Sequence, residues 1–293
     1  MTVAHAAPAL TGLQLQHVLR DLNERRMTPE HDARGWRDSL ADETSARLAE
    51  HEFIEASRAE VAARAATAPH TPNGFLAWFE QLRENGPGQG DSLFPWIEHH
   101  ATLDQLKWFL SQEVAGEAGF DDLVALTQLK MPVQAKLELA RNYWDEMGRG
   151  MENAMHGPML SLLAVSLELD PSVEIVVEAL ALGNLLCGLA HNRRYAYHSL
   201  GALGAIELTA PDRSRMTNLG LKRLRVPAGE RQYYALHATL DIKHSIAWNR
   251  EIIGPLVAER PECATAIAEG ALMRLTAGER CFIRYRKELG VEA

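Results

Sequence analysis

His237-Ala-Thr-Leu-Asp241-Ile-Lys-His244 is the stretch from which the rest of this chain can be read. It lies in a segment whose apolar residues recur at helical spacing, and steps of four and seven residues return to nearly the same helix face. At about 100° per residue the three side chains fall within roughly 60° of one another. Two imidazoles and a carboxylate on one stripe suit a transition metal such as iron, manganese or zinc. The plainer alternative is a solvated polar face. With twelve histidines and twelve aspartates among 293 residues, the pattern arises by chance about 0.02 times per chain, so context has to decide.

Outward from this stretch the chain reads as helix almost throughout. A long helix is expected over residues 228–253 and a last one over 261–289. Upstream, the spacing predicts helices over 103–117, 120–128 and 133–147, the last broken at Gly148-Arg149-Gly150, and a further piece that holds His156 and runs on to Leu169. Asp170-Pro171 has the form of a helix start, with Asp as cap and Pro at the first position. A strongly apolar helix should follow to residue 190, then another over 191–208 that ends before Pro211, with 213–223 short and polar. Near the N-terminus, residues 10–26 are amphipathic, 38–68 suit an exposed helix, 75–83 another, and Gly86-Pro-Gly-Gln-Gly90 is a loop. Alternating strand patterns and Asn-Gly turns are absent, so the expectation is all-α. Residues 1–70 read as a helical extension packed on a core of residues 71–293.

The net charge of −9 argues against nucleic acid or an anionic membrane as a general partner. No apolar run approaches the roughly 20 residues of a membrane span. The N-terminus lacks the basic start and apolar core of a secretory signal. Cys187, Cys263 and Cys281 share no CxxC spacing and read as reduced, buried thiols of a cytoplasmic protein.

Four other positions could join the motif. Glu146 ends a helix, where a carboxylate opposes the dipole; a cation would offset that, and simple exposure would too. His156 stands ten residues on, too far along an unbroken helix to share an ion with Glu146, but the two intervening glycines allow the backbone to fold back. A core histidine among methionines is the competing reading. Glu207 closes the small, apolar run Gly201-Ala-Leu-Gly-Ala-Ile206, with no charge back to Arg194. A buried carboxylate costs several kcal/mol unless paired, protonated or metal-bound. The small residues of that run permit close helix approach or leave a cavity. Glu113, with Glu117 a turn further, is the fourth.

Glu146, His156, Glu207 and the HxxxDxxH motif, in that order and spacing, resemble the heme-oxygenase-like di-iron oxidase and oxygenase superfamily, whose members are often described as iron-containing redox enzymes. The resemblance covers about residues 95–290. It implies a seven-helix bundle of the heme oxygenase type, here with the N-terminal helical extension added. It also implies an O2-dependent non-heme di-iron enzyme with two Fe cycling between Fe(II) and Fe(III), the second weakly held, O2 as co-substrate and no heme. His17, the single histidine placed to serve as a heme ligand near the N-terminus, lacks the surrounding pattern. A thiaminase-like activity has no nucleophilic cysteine to carry it.

The ligand set implied is Glu113, Glu146, His156, Glu207, His237, Asp241 and His244, with Glu117 the rival of Glu113. His156 and His244 would share one iron with Glu146 or Glu113, His237 and Asp241 would hold the other, and Glu207 would bridge. Asn192, Tyr197, Tyr233 and Tyr234 are candidates to orient the imidazoles. The reaction favoured is N-oxygenation of an amine in a small amino-acid-derived or natural-product substrate. Glu113 as an extra ligand tilts toward it over oxidative C–C cleavage or decarboxylation of an amino acid or fatty acid. From another class, a metal-binding helical protein without turnover fits the same residues. The partners expected are a small-molecule substrate, an external electron donor and a second copy in a homodimer, with no nucleic acid and no membrane.

Overall fold

The structure is a computed structural model that describes residues 12–31, 35–116 and 119–292. Glu117 and the first two positions of the 10–26 segment lie outside the described residues. Within them the chain is all-α, as expected, with no strand. In chain order the helices are α1 (Gly12–Met27), α2 (Trp36–Ala65), α3 (Pro72–Asn85), α4 (Leu93–His99), α5 (Leu103–Gly116), α6 (Phe120–Thr127) and α7 (Val133–Glu146). They continue with α8 (His156–Ser166), α9 (Val177–His191), α10 (Ala196–Arg223), α11 (Gln232–Ala247), α12 (Gly254–Glu259) and α13 (Cys263–Leu289). No helix among the described residues is long and apolar enough to cross a membrane.

Helix α10 is the central element and packs on α13, α11, α4 and α9. Its Gly201-to-Ala205 run is wholly buried. A methyl group at Gly201 would collide with the Ile267 carbonyl of α13, and one at Gly270 of α13 with the His198 carbonyl of α10. The two helices therefore cross backbone against backbone, which glycine at both points permits. Helices α1 and α2 lie against α9 and α13. The buried Asn184 amide of α9 ties α1 down through Asn23 and Gln16: Asn23 Nδ2 donates to Asn184 Oδ1 at 2.8 Å, and Asn184 Nδ2 donates to the Gln16 carbonyl at 2.8 Å. The three cysteines are free and buried.

Three local expectations are corrected. Asp170 does not start a helix: its carboxylate accepts from the Ser172 amide and hydroxyl, closing a turn, and α9 begins only at Val177. The backbone amide of Val176 is held by Gln112 Oε1 of α5 at 2.9 Å instead. Helix α10 does not stop before Pro211 but runs through it to Arg223. The proline has no N–H to give the Glu207 carbonyl four residues back. Packing along both flanks of this 28-residue helix outweighs that loss. Last, the 228–253 helix is two pieces, because α11 ends at Ala247 and Trp248–Ile253 forms a wider π-helical turn before α12.

Candidate metal centre

The centre is assembled at the end of α7. Glu146 is its last residue, and the chain then turns sharply through Gly148, Arg149 and Gly150, all at positive φ (59°, 54° and 83°). A side chain at Gly148 would strike the Ala154 backbone, so the reversal is tight. It returns the chain so that His156 opens α8 with Nδ1 2.5 Å from Glu146 Oε2. Glu207 comes from α10, on the turn preceding Pro211, and His237 and His244 from α11.

Ligand-capable atoms of Glu146, His156 and His237 lie within 4.8 Å of one another, as do those of Glu146, Glu207 and His244. Two clusters thus share Glu146. The His156 and His237 rings meet edge to face with centroids 4.6 Å apart. His244 Nδ1 faces Glu207 Oε1 at 3.4 Å and Glu146 Oε1 at 3.9 Å. The motif histidines divide between the clusters, but the expected pairing is corrected: His156 groups with His237, not with His244. A seven-residue step shifts His244 about 10 Å along α11 from His237, so apart from the shared Glu146 the two face different neighbours.

Electrostatics show what the pocket must accommodate. Burial and then the Glu207 charge push the Glu146 carboxyl well above its ordinary range. Burial and the neighbouring His244 lower His156 to about 4, and burial with His156 lowers His237 to about 4, so both are neutral imidazoles. Burial acts against the charged form of His244 as well, but contact with Glu207 and the charges of Glu207 and Glu146 outweigh it and hold His244 at about 9. The proton on His244 therefore offsets part of this concentration of carboxylates.

The residues fit a metal ion. The Nδ1 atoms of His156 and His244 are buried without a hydrogen-bonding partner, although carboxylate oxygens stand close to both. Nitrogen and oxygen turned into a common space, not along a hydrogen bond, is how two donors to one ion lie. Imidazole mixed with carboxylate suits iron or manganese. Supporting contacts are also built: His237 Nδ1 donates to the Tyr233 carbonyl at 2.7 Å, leaving Nε2 as its ligand atom. His244 Nε2 lies 3.2 Å from Asp145 Oδ2, and Asn142 Nδ2 donates to Glu207 Oε1 at 2.6 Å.

Asp145 and Asn142 were not anticipated from the sequence. Asn142 stands one turn before Glu146 on the same face, a signal that was available; Asp145 reaches a helix about 100 residues away and left none. Of the expected orienting residues, Tyr233 touches a motif histidine: its carbonyl accepts from His237 and its ring centroid lies 4.2 Å from that of His237. Tyr234 lines the adjoining cavity. Asn192 and Tyr197 are corrected: Asn192 bonds His51 at 2.8 Å beside α1 and α2, and Tyr197 lies near Arg260, neither in contact with a cluster histidine.

A cavity of about 110 Å³ adjoins the clusters, with Glu146, Glu207 and His237 on one wall and Arg213 and Arg274 on its lining. Asp241 is buried and lines this cavity, outside both clusters. Glu113 lines it too, again outside both clusters, where it accepts a hydrogen bond from Tyr285 in the field of Arg213 and Arg274. Burial nonetheless raises the Glu113 carboxyl. Its expected place beside the other ligands is thus not what the geometry gives: Glu113 stands across the cavity lining from both clusters.

The sequence matches the family of iron-containing redox enzymes over residues 107–279, and the chain belongs to that family. Every member of the two clusters falls inside the matched span. Two crystal structures of a CADD-like protein of unknown function from Nostoc punctiforme PCC 73102 are similar in fold. One is 18% identical with a TM-score of 0.59, covering 74% of this chain and 98% of that one. The other is 19% identical with a TM-score of 0.56, covering 74% and 95%. At such identity the likeness concerns the fold alone. No curated protein matches the chain.

Proposed function

We propose that this protein is an O2-dependent, non-heme di-iron oxygenase or oxidase acting on a small amino-acid-derived or natural-product substrate. The observation that carries the reading is the pair of adjoining Glu/His clusters that share Glu146 beside a cavity. Two ferrous ions bound there would supply electrons for the reduction of O2. His156 and His237 would hold one, His244 and Glu207 the other, with Glu146 common to both. Asp145 and the Tyr233 carbonyl fix the ring orientations of His244 and His237. Asn142 holds Glu207, and the apolar walls Phe120, Leu160 and Ile206 limit water around the substrate.

N-oxygenation of an amine remains the reaction proposed, with C–C cleavage the rival. The support that Glu113 gave as an extra ligand is reduced by its position outside both clusters. The enzyme would draw further electrons from an external donor.

Anaerobic loading with Fe(II), followed by metal analysis and O2-uptake measurements across a panel of amines and amino acids, tests the reading. Uptake of about two iron ions per chain, with substrate-dependent O2 consumption, is expected. Less than about one iron per chain, unchanged by His237→Ala, would defeat it. Two irons without O2 consumption on any substrate would favour a metal-binding protein without turnover.

A further inference from the structure

The cavity beside the metal centre holds a cation that the ligand set does not use. Arg213, on α10, lines it, with its guanidinium set over the rings of Phe94 and Phe282 at 5.9 and 5.5 Å. Its Nη1 is buried without a hydrogen-bonding partner, and among the described residues no carboxylate lies within ion-pair distance of it. Burial, and then repulsion from Arg274, lower this arginine to about 9. Glu113, Asp241 and Asp212 act on it only at longer range.

A buried guanidinium with an unmet donor is costly unless something completes it. Among the described residues, arginines in ion pairs hold their carboxylates within 3.8 Å, as Arg26 does with Glu50 at 2.7 Å. Arg213 faces open space instead, six residues along α10 from Glu207. Both residues line the same cavity of about 110 Å³, which limits its occupant to a small molecule.

Charge points the same way. Among the described lining residues, Glu113, Glu146, Glu207 and Asp241 stand against Arg213 and Arg274. Counted with all six groups ionised, as metal binding favours, two ferrous ions change the balance from two negative charges to two positive, and an anionic group on the substrate offsets the excess. A planar fork of N–H donors matches a carboxylate with two parallel hydrogen bonds.

We infer that Arg213 anchors the carboxylate of the substrate, which is therefore a small organic acid of amino-acid scale whose far end is presented to the Glu146-centred clusters. The inference rests on the di-iron reading of the site and adds to it the residue that holds the substrate's acid group. Phe94 and Phe282 hold the guanidinium in register, and Arg213 and Phe94 also line an outer cleft of about 470 Å³. The acid would reach the anchor from that side.

The test uses the full chain, loaded anaerobically with Fe(II), with iron content measured on the same samples. Acetate, benzoate, L-alanine, L-lysine and L-phenylalanine are each compared with the matching amide by the thermal-melting shift they produce. Acids are expected to stabilise the protein at concentrations about tenfold lower than their amides. Arg213→Met and Arg213→Gln should lose that preference at unchanged iron content, and Arg213→Lys should recover part of it. The anchor is overturned if no acid stabilises the protein, if amides match acids, or if acids stabilise Arg213→Met as well as the parent chain. Inorganic phosphate binding more tightly than every acid would overturn the carboxylate assignment. Iron content below one per chain, with the Arg213-dependent acid preference intact, would sink the di-iron reading and leave the anchor standing.

Discussion

Asp145 Oδ2 sits 3.2 Å from His244 Nε2, on the side of the ring turned away from Glu207 and Glu146. Arg149 holds the other oxygen of the same carboxylate at 2.6 Å. A carboxylate behind a ligating imidazole fixes its orientation and raises its basicity. Asp145→Asn keeps the shape and removes the charge. Fe(II) affinity should fall about 10- to 100-fold while the melting temperature of the metal-free protein stays close to that of the parent. Titration against a competing chelator decides it; an unchanged affinity would mean that the contact is structural only.

The division of the histidines predicts how iron is lost. His156→Ala, His237→Ala and the double variant should each lose about one iron, because both rings belong to one cluster. His237→Ala combined with His244→Ala should lose about two. Should the His156/His237 double variant lose both irons while His237/His244 loses one, the grouping is wrong.

Metal uptake should release protons. At pH 7 the metal-free protein holds a proton on His244, whose value is about 9, while burial and the Glu207 charge hold the Glu146 carboxyl well above the carboxylate range. A ligand must shed its proton to bind, so Fe(II) affinity should rise with pH and level off above about 9. Calorimetry in two buffers of different ionisation enthalpy counts the protons. Equal heats in both buffers would contradict the assignment.

Stability has a separate acid dependence at His191, remote from the centre. Burial, and then the charges of Arg26 and Arg47, lower it to about 4 from an ordinary value of 6.5. The folded value is depressed, so between pH 6.5 and 4 the unfolded chain binds the proton first. The stabilisation is fully present above 6.5 and is lost as pH falls toward 4. His191→Gln should flatten the melting temperature across that window relative to the parent; an identical slope would exclude His191 as its source.

Gly148 tests the chain reversal that joins Glu146 to His156. Arg149 shows that positive φ is itself tolerated there, but a methyl group at Gly148 would meet the Ala154 backbone. Gly148→Ala should cost about 1–3 kcal/mol and lower iron content. Gly150→Ala, which meets only the edge of Trp144, should do less on both measures. Circular-dichroism melts and metal analysis compare the two.

How far these features could be read beforehand depended on the range of the forces behind them. Local patterning marked most helices, because apolar spacing is a property of consecutive residues. It failed at Asp170, where the carboxylate closes a turn on Ser172, and at Pro211, where packing by α4, α11 and α13 carries α10 past a missing hydrogen bond. Cap and breaker rules describe an isolated chain, and both positions are decided by neighbours distant in sequence.

The centre divides in the same way. The sequence by itself determined an all-α chain, a membership in the iron-containing redox family, and a face of α11 bearing His237, Asp241 and His244. It also marked Glu146, His156 and Glu207, because a buried carboxylate or a glycine-broken helix is legible residue by residue. Only the tertiary structure decided that His237 faces His156 while His244 faces Glu207, since the 10 Å rise between them presents each to a different helix. It alone drew Glu113 toward Tyr285 and the arginines, brought Asp145 to His244, and left Arg213 with an unmet donor in the cavity. Pairwise electrostatics and hydrogen bonding act through space, and no spacing along the chain encodes which partners the packing of α5, α7, α10 and α11 will bring within reach.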